Sequence, residues 1–249
     1  MKNRSKPPAE LIVMLTQDDV TIKNVRDVFL SSCDLEIKNW GFKNTGISNE
    51  DMSSLIKIIK DKGKTAVLEI VSYNEASCLN IVKKAAEYGI DQIMGTVYSA
   101  SIHDFLDKNN ILYKPFIGKV SGNPSILEGN SEEIINEAIL LLERGVSGFD
   151  LLAYRYIESF TPSVFDARIK NAEDLARNFI KETDIQNART CIAGGICTFE
   201  QIDFIFDISP WAFTMGTALF ESKFAPNGSF RENLMAVLEY INKKQAKEI

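Results

Sequence analysis

Short apolar runs alternate with longer stretches of helical periodicity along almost the whole chain. The runs are rich in Val, Ile and Leu, as is typical of strands that are buried on both faces. They predict eight strands, over residues 11–16, 35–41, 65–71, 92–96, 112–118, 148–154, 190–194 and 211–216. A stretch with helical spacing of its apolar positions follows each run and predicts eight helices, over residues 21–31, 49–62, 74–88, 99–108, 131–144, 171–182, 198–207 and 230–244.

Residues typical of helix ends mark the boundaries of these elements. Gly63, Gly89 and Gly145 follow the second, third and fifth predicted helices, where a left-handed residue commonly ends a helix. Three pairs have the spacing of a capping box at a helix start, namely Ser72 with Glu75, Thr198 with Gln201, and Ser229 with Glu232.

Eight successive strand–helix units predict a parallel sheet, because each helix returns the chain to the same edge. An open doubly wound sheet is the alternative, but the turn after the first strand, residues 16–19, lacks the glycines of a dinucleotide-binding fingerprint. The chain length of 249 residues is typical of one closed barrel. We therefore predict an α/β fold, a (β/α)8 TIM barrel forming a single domain over residues 1–249, with residues 1–10 as a flexible lead.

Charge and composition exclude several classes of function. The net charge of −6 and a pI near 5.1 argue against a nucleic-acid partner. No apolar run approaches the roughly 18–20 residues of a membrane span, so we expect no membrane association. The four cysteines form no CxxC motif, which favours a reducing cytoplasm. The single histidine, His103, is expected on a helix surface and argues against most zinc sites, so we predict no metal and no cofactor.

A split glycine motif occupies the last two predicted strands. The seventh strand ends in Ala-Gly-Gly-Ile, which contains Gly194 and Gly195, and the eighth ends in Gly-Thr-Ala-Leu-Phe, which begins with Gly216 and Thr217. Glycines let the backbone approach an anion closely, and a helix that starts after Thr217 would direct its positive end to the same place. In barrels, phosphate is commonly held between the loops after strands seven and eight. These four residues are therefore the candidate phosphate site.

The two halves of this motif resemble those of the ribulose-phosphate-binding barrels, and the strand–helix rhythm extends the resemblance to the whole chain. This superfamily includes histidine-biosynthesis barrels, indole-glycerol-phosphate synthase and acylhexosamine-phosphate epimerases. The resemblance implies a phosphate pocket without naming a reaction. It also implies that Asp18 or Asp19 fills the position of the catalytic aspartate after the first strand in the histidine-biosynthesis barrels.

Several branches of the superfamily do not fit these residues. The fifth predicted strand carries no carboxylate, which argues against the isomerase chemistry of the histidine-biosynthesis barrels. The Asp-x-Lys-x-x-Asp run that the resemblance implies for the decarboxylase branch is not found. The pentulose-phosphate epimerases of this fold use two histidines and a metal, which His103 alone does not supply.

Charged residues lie inside strands that should be almost continuously apolar. Buried charges must pair or line a wet pocket, so Lys38, Glu69 and Lys114 are the candidate catalytic residues. Each has a structural alternative: Lys38 and Glu69 as an ion pair low in the barrel, and Lys114 in contact with backbone carbonyls only. Further charged or polar candidates are Glu36, Asp150 as a structural residue, Tyr154, Arg155 as an anion clamp or a solvated loop residue, and Lys43 as added positive potential.

The interpretation that combines these features is a metal-independent enzyme acting on a small phosphorylated sugar-like carbonyl compound. Glu69 with Lys38 or Lys114 would transfer protons in an isomerase or epimerase reaction, while Gly194, Gly195, Gly216, Thr217, Arg155 and Asp18 bind the substrate. The alternatives are a Schiff-base aldolase that uses Lys38 or Lys114, and a phosphometabolite-binding barrel without catalysis. A homo-oligomer is possible, and the long loops at 119–130 and 155–170 are lid candidates.

Overall fold

A closed barrel of eight parallel strands forms the centre of the molecule. The computed structural model describes residues 8–158 and 165–246, with the backbone alone for residues 165 and 166. Residues 1–7 of the predicted lead, and residues 159–164 of the second predicted lid loop, lie outside the described residues. The barrel strands are β1 (Glu10–Met14), β2 (Asn39–Lys43), β3 (Thr65–Ile70), β4 (Gln92–Val97), β5 (Leu112–Phe116), β6 (Asp150–Leu151), β7 (Cys191–Ile192) and β8 (Ala212–Met215).

The strands pair in the order in which they occur along the chain, and β8 closes the barrel on β1. Helices follow the strands as predicted, with one additional short helix after β8. They are α1 (Val25–Leu30), α2 (Asn49–Asp61), α3 (Glu75–Glu87), α4 (Ala100–Lys108), α5 (Ser131–Glu143), α6 (Phe165–Asp184), α7 (Phe199–Ile208), α8 (Thr217–Phe220) and α9 (Phe230–Gln245). The predicted TIM barrel is therefore confirmed.

Two separate apolar clusters follow from the alternation of side chains along the strands. One cluster lies between the strands and the surrounding helices and includes Trp40, Leu68 and Phe213. A smaller cluster fills the barrel interior and contains Ile12, Met14, Val67, Met94, Cys191 and Ala212. The interior is thus a packed core, as in other barrels, and a ligand can enter only at its ends.

The helix ends agree with the sequence in most places. Thr198 and Ser229 form complete capping boxes with Gln201 and Glu232. The capping box predicted at Ser72 is wrong, because the N-cap of α3 is Asn74, two residues later, whose side chain accepts a hydrogen bond from the backbone N–H of Ser77. No described helix combines the length and the apolar character that a membrane-spanning helix needs.

The second strand begins later than predicted. The apolar run starts at Leu35, but Leu35 and Ile37 pack beside the barrel in a turn, and the strand itself starts at Asn39. This moves the strand end to Lys43 and determines which lysine reaches the C-terminal end of the barrel.

Candidate active site

A cavity of about 470 Å³ opens at the C-terminal ends of the barrel strands. Acidic and basic side chains from the first three strand–loop units line it. The loops after β7 and β8 line it as well, with the residues of the split glycine motif. The cavity lining includes Thr16, Asp18, Asp19, Lys43, Glu69, Arg155, Gly194, Gly195, Gly216, Thr217 and Lys223.

The glycine side of the cavity has a backbone that other residues adopt only with strain. Gly194 and Gly195 have φ values of +112° and +113°. A Cβ atom at Gly194 would lie 2.9 Å from the backbone nitrogen of Arg155, whereas one at Gly195 would meet no atom within 4 Å. Gly216 precedes α8, and Thr217 Oγ1 accepts a hydrogen bond from the backbone N–H of Asp18 at 3.2 Å. The structure thus brings the two halves of the glycine motif to one cavity.

The same cavity holds an ion-pair network of Asp19, Lys43, Glu69 and Arg155. The Lys43 ammonium lies 2.7 Å from Asp19 Oδ1 and 3.0 Å from Glu69 Oε1. Arg155 Nη1 lies 2.5 Å from Asp19 Oδ2. Lys43 and Glu69 are paired residues on β2 and β3, so the strand register fixes their contact. This network therefore combines two carboxylates and two cations at the mouth of the barrel.

Burial makes the charges of the network strongly dependent on one another. Burial alone would raise the pKa of Asp19, but the hydrogen bond from Arg155 and the charge of Lys43 hold that pKa well below its ordinary value. Burial alone would lower the pKa of Lys43, but the carboxylates of Glu69 and Asp19 raise it above its ordinary value. Lys43 is consequently a stable cation in the cavity rather than a neutral amine.

The loop after β5, a lid candidate, forms an antiparallel hairpin of Lys119–Ser121 with Ile126–Glu128. Its tip contacts the ion-pair network, since the backbone N–H of Ser125 donates to Asp19 Oδ2 at 3.0 Å. Tyr73 fixes the tip from the other side by donating a hydrogen bond to Ser125 Oγ at 2.7 Å. The start of the second lid candidate, Tyr156–Ile157, pairs with this hairpin.

The placement of Lys38 corrects the prediction for the second strand. Lys38 is exposed and precedes β2, at the end of the strand away from the cavity, so it forms no pair with Glu69 there. Lys43, five residues later, makes that contact instead. Glu36 is exposed in the same turn and is also absent from the cavity lining. The prediction was wrong because the apolar run began before the strand did.

Lys114 points into the barrel but does not line the cavity. It is completely buried, donates a hydrogen bond to Gln92 Oε1 at 3.1 Å, and lies 3.9 Å above the ring of Trp211. Burial lowers its pKa to about 8. Its contacts are thus with a side-chain amide and an aromatic ring, rather than with Glu69 or with backbone carbonyls alone.

The remaining candidates divide between the cavity and its surroundings. Asp18 and Arg155 line the cavity, whereas Asp150 is buried beneath it and Tyr154 lies outside its lining. His103 is half-buried on α4 between Tyr98 and Tyr113, with ring centroids 5.8 and 6.3 Å away, rather than on an open surface.

Sequence reasoning assigned no definite role to three residues that the structure places at the site. Asp19 was only an alternative to Asp18, and two consecutive carboxylates in a turn give no sign of which one is buried. Lys43 was expected to add potential only, because it followed the predicted strand end. Lys223, in the segment after α8, lines the cavity beside Glu221 and was not considered. Its position after the glycine motif was the available signal.

Comparison with known proteins supports the fold. No family model matches the sequence, and no curated protein matches it significantly. The solved structures with a similar fold include 3-keto-L-gulonate-6-phosphate decarboxylase from Vibrio cholerae, with 15% identity and a TM-score of 0.63 over 95% of this chain and 99% of that chain. Orotidine 5'-phosphate decarboxylase from Pyrococcus horikoshii has 10% identity and a TM-score of 0.64 over 93% and 99%.

N-acetylmannosamine-6-phosphate 2-epimerase from Clostridium perfringens is also similar, with 12% identity and a TM-score of 0.58 over 84% of this chain and 86% of that chain. The resemblance to ribulose-phosphate-binding barrels, which the glycine motif indicated, is therefore confirmed at the level of fold. At identities this low, the likeness concerns the fold, and function has to be argued from the site.

Proposed function

We propose that this protein is a metal-independent enzyme that transfers protons within a small phosphorylated, sugar-like carbonyl compound. One observation carries the proposal: a single cavity joins the glycine motif to the buried Lys43–Glu69 pair. Each of the three enzymes with a similar structure is named after a phosphorylated compound, which agrees with a phosphate ligand. A ligand that spans the cavity would therefore have its phosphate at one side and its reacting carbons at the other.

The phosphate end is assigned to Gly194, Gly195, Gly216 and Thr217. Positive φ values at the first two residues are open to glycine without steric cost. Gly195 has open space where a side chain would be, so an anion can approach its backbone closely. Lys223 supplies a further cation to the cavity lining. A phosphate held here provides binding energy that positions the reacting end of the substrate.

The proton-transfer end is assigned to Glu69, with Lys43 as its electrostatic partner. Glu69 would accept a proton from a carbon next to the carbonyl group and return it to a neighbouring carbon. The Lys43 ammonium, whose raised pKa keeps it charged, would stabilise the negative charge that develops on the carbonyl oxygen. Arg155 lines the same cavity and would orient a second polar group of the substrate.

A Schiff-base aldolase finds less support in these positions. Lys38 is exposed near the opposite end of the barrel, and Lys114 does not line the cavity although its pKa is lowered to about 8. Lys43 does line it, but a lysine held as a cation by two carboxylates is a poor nucleophile. Borohydride treatment in the presence of a bound carbonyl compound should therefore leave all three lysines unmodified.

The test begins with a thermal-shift screen of phosphorylated sugars and sugar acids, each beside its unphosphorylated counterpart. A specific ligand raises the unfolding temperature in proportion to ln(1 + [L]/Kd). Every compound that stabilises the protein is then incubated with it in D2O, and deuterium incorporation next to the carbonyl group is followed by NMR. We expect a phosphorylated compound to stabilise the protein and its unphosphorylated counterpart not to do so. The stabilising compound should then take up deuterium from the solvent.

Two glutamate variants make the exchange experiment specific. Glu69→Gln should still bind the compound but should lose deuterium incorporation, because the amide cannot accept the proton. Glu87→Gln, at an exposed position on α3, is the matched control and should retain the wild-type rate. Binding without exchange in wild-type protein would instead favour a phosphometabolite-binding barrel without catalysis.

A further inference from the structure

Asp150 is a buried carboxyl group to which the proposed reaction assigns no part. It is 1% exposed, and neither of its carboxyl oxygens has a hydrogen-bond partner among residues 8–158 and 165–246. Native proteins pair nearly all buried polar atoms, so two unpartnered oxygens on one carboxyl group require an explanation. An ionised carboxylate without a donor would be the most costly form of this group.

The strand register places Asp150 directly beneath the cavity. The row of paired residues that contains Asp150 continues to Ala212 on β8, two residues before Thr214, which lines the cavity, and side chains alternate in direction along a strand. Asp150 pairs in register with Cys191, which belongs to the apolar cluster of the barrel interior. Asp150 therefore lies one layer below the cavity lining, within the packed interior.

The cations around Asp150 are already engaged by other groups. Lys43 pairs with Asp19 and Glu69. Arg155 pairs with Asp19 as well. Lys114 donates to an amide oxygen and lies against an aromatic ring. The ion-pair network is balanced without Asp150, because its two carboxylates match its two cations. Lys114 is a further cation that acts on Asp150, but no donor is within hydrogen-bond distance of either Asp150 oxygen, so an ionised Asp150 would lack a direct partner among the described residues.

We propose that Asp150 carries its proton at neutral pH and is a positioning residue, whose neutral form leaves Lys43 in place between Asp19 and Glu69. An ionised Asp150 would compete for the Lys43 ammonium from below and draw it away from the cavity. The role depends on the proposed function, because it concerns the cation assigned to the carbonyl oxygen. The protonation state itself can be measured without any substrate, so the two proposals can fail separately.

The electrostatic surroundings support a protonated carboxyl group. Burial and the negative charge of Glu69 raise the pKa of Asp150 well above its ordinary value, against the opposing effect of nearby cations. The neighbouring Cys191 thiol is also held neutral, because burial raises its pKa. The titratable and charged groups that face Asp150 come from five parts of the barrel and are Lys43, Glu69, Lys114, Cys191 and Arg155.

Infrared spectroscopy tests the protonation state directly. A protonated carboxyl group has a C=O stretch separated from the carboxylate bands, and labelling aspartate with ¹³C at the side-chain carboxyl identifies it in wild-type protein. We expect this band at pH 7 in wild-type protein and in the control Asp203→Asn, but not in Asp150→Asn. Its absence from labelled wild-type protein at pH 7 would overturn the proposal without depending on any variant.

The pH dependence of stability gives a second, independent test. Since folding raises the pKa of this acid, wild-type stability should fall as pH rises from the unfolded value towards the folded one. Asp150→Asn removes this loss. The ratio of folded to unfolded protein should thus change in favour of the variant by about tenfold per pH unit within that range. A variant that is less stable by a constant factor at every pH would contradict a protonated Asp150.

The positioning role is tested on Lys43. The ¹⁵N resonance of the Lys43 ammonium, assigned with Lys43→Met, should shift in wild-type protein at the pH where the infrared band disappears. In Asp150→Asn the same resonance should show no shift at that pH. A resonance that titrates identically in both proteins would refute the role, even if Asp150 proved to be protonated.

Discussion

Replacing Lys43 with methionine tests the ion-pair network through its central residue. Methionine has nearly the same length but no charge, so the substitution removes the cation while largely retaining the packing. Lys43, Asp19 and Glu69 are 5%, 4% and 4% exposed, so the two carboxylates would remain in a site that water barely reaches. The variant therefore isolates the electrostatic contribution of one buried ammonium group.

The expected cost comes mainly from Glu69. Asp19 keeps the guanidinium of Arg155 at 2.5 Å and the backbone N–H of Ser125 at 3.0 Å. Within the described part of the chain, Lys43 is the cation that pairs with the Glu69 carboxylate, at 3.0 Å. Removing one partner of a buried pair costs about 3–5 kcal/mol, because the other charge remains buried and uncompensated. We expect a loss of this size at pH 7.

Urea denaturation followed by circular dichroism measures this free energy of unfolding. Lys57→Met is the matched control, because the ion pair of Lys57 with Asp61 is 73% and 60% exposed and should contribute little. The double variant Lys43→Met/Glu69→Leu should recover most of the loss, since it leaves no unpaired charge at Glu69. A cost below about 1 kcal/mol, or a double variant less stable than the single one, would refute the buried pair.

Three further predictions concern Asp19, the glycine motif and the segment before α9. Because folding lowers the pKa of Asp19, its stabilising effect is complete well above the unfolded value of about 3.9 and is lost progressively as the pH falls from there towards the lower folded value, so wild-type protein and Asp19→Asn should differ most at pH 7 and by less and less as the pH falls below about 4 in urea denaturation. Gly194→Ala should lower the free energy of unfolding by about 1–3 kcal/mol, and by more than Gly195→Ala, because only a Cβ at position 194 would meet backbone atoms. Equal losses in the two variants would contradict this packing. Asn233→Ala should lower the free energy of unfolding by about 2–3 kcal/mol in the same assay, because the buried Asn233 side chain accepts hydrogen bonds from two backbone N–H groups ahead of α9. An unchanged urea midpoint would exclude that role.

The barrel was predictable because its signal is repeated along the chain. Each apolar run with the amphipathic stretch after it is weak evidence alone, but eight such units in sequence allow few other topologies. The glycine motif was predictable for a similar reason. Its two halves occupy the ends of adjacent strands, and the closed order of the barrel brings those ends together.

The acidic and basic side of the cavity was less predictable, because it depends on where a strand begins within an apolar run. Leu35 and Ile37 extended the second run towards the N-terminus, although they pack in a turn before the strand. Because the predicted strand therefore ended too early, the predicted site contained Lys38 instead of Lys43. Asp18 and Asp19 both have positive φ values, but only Asp19 is buried. Which of the two carboxylates enters the network is therefore decided by the geometry of the turn.

Depth inside the barrel is a further property that sequence does not specify. Lys114 and Glu69 were both correctly expected to be buried, inward-facing charges. The stagger of barrel strands nevertheless places residues of similar strand position at different heights along the axis. Glu69 reaches the cavity, whereas Lys114 contacts Gln92 and Trp211 in the interior.

We propose that one cavity holds a phosphate at the glycine motif while Glu69 faces the reacting carbons. A crystal structure of the protein with a phosphorylated compound selected by the thermal-shift screen tests this claim most directly. We expect the phosphate to contact the backbone of Gly194, Gly195, Gly216 and Thr217, with the carbon next to the carbonyl group in contact with the Glu69 carboxylate. A compound bound with its phosphate on Lys43 and Arg155, and its carbonyl group directed away from Glu69, would contradict the account.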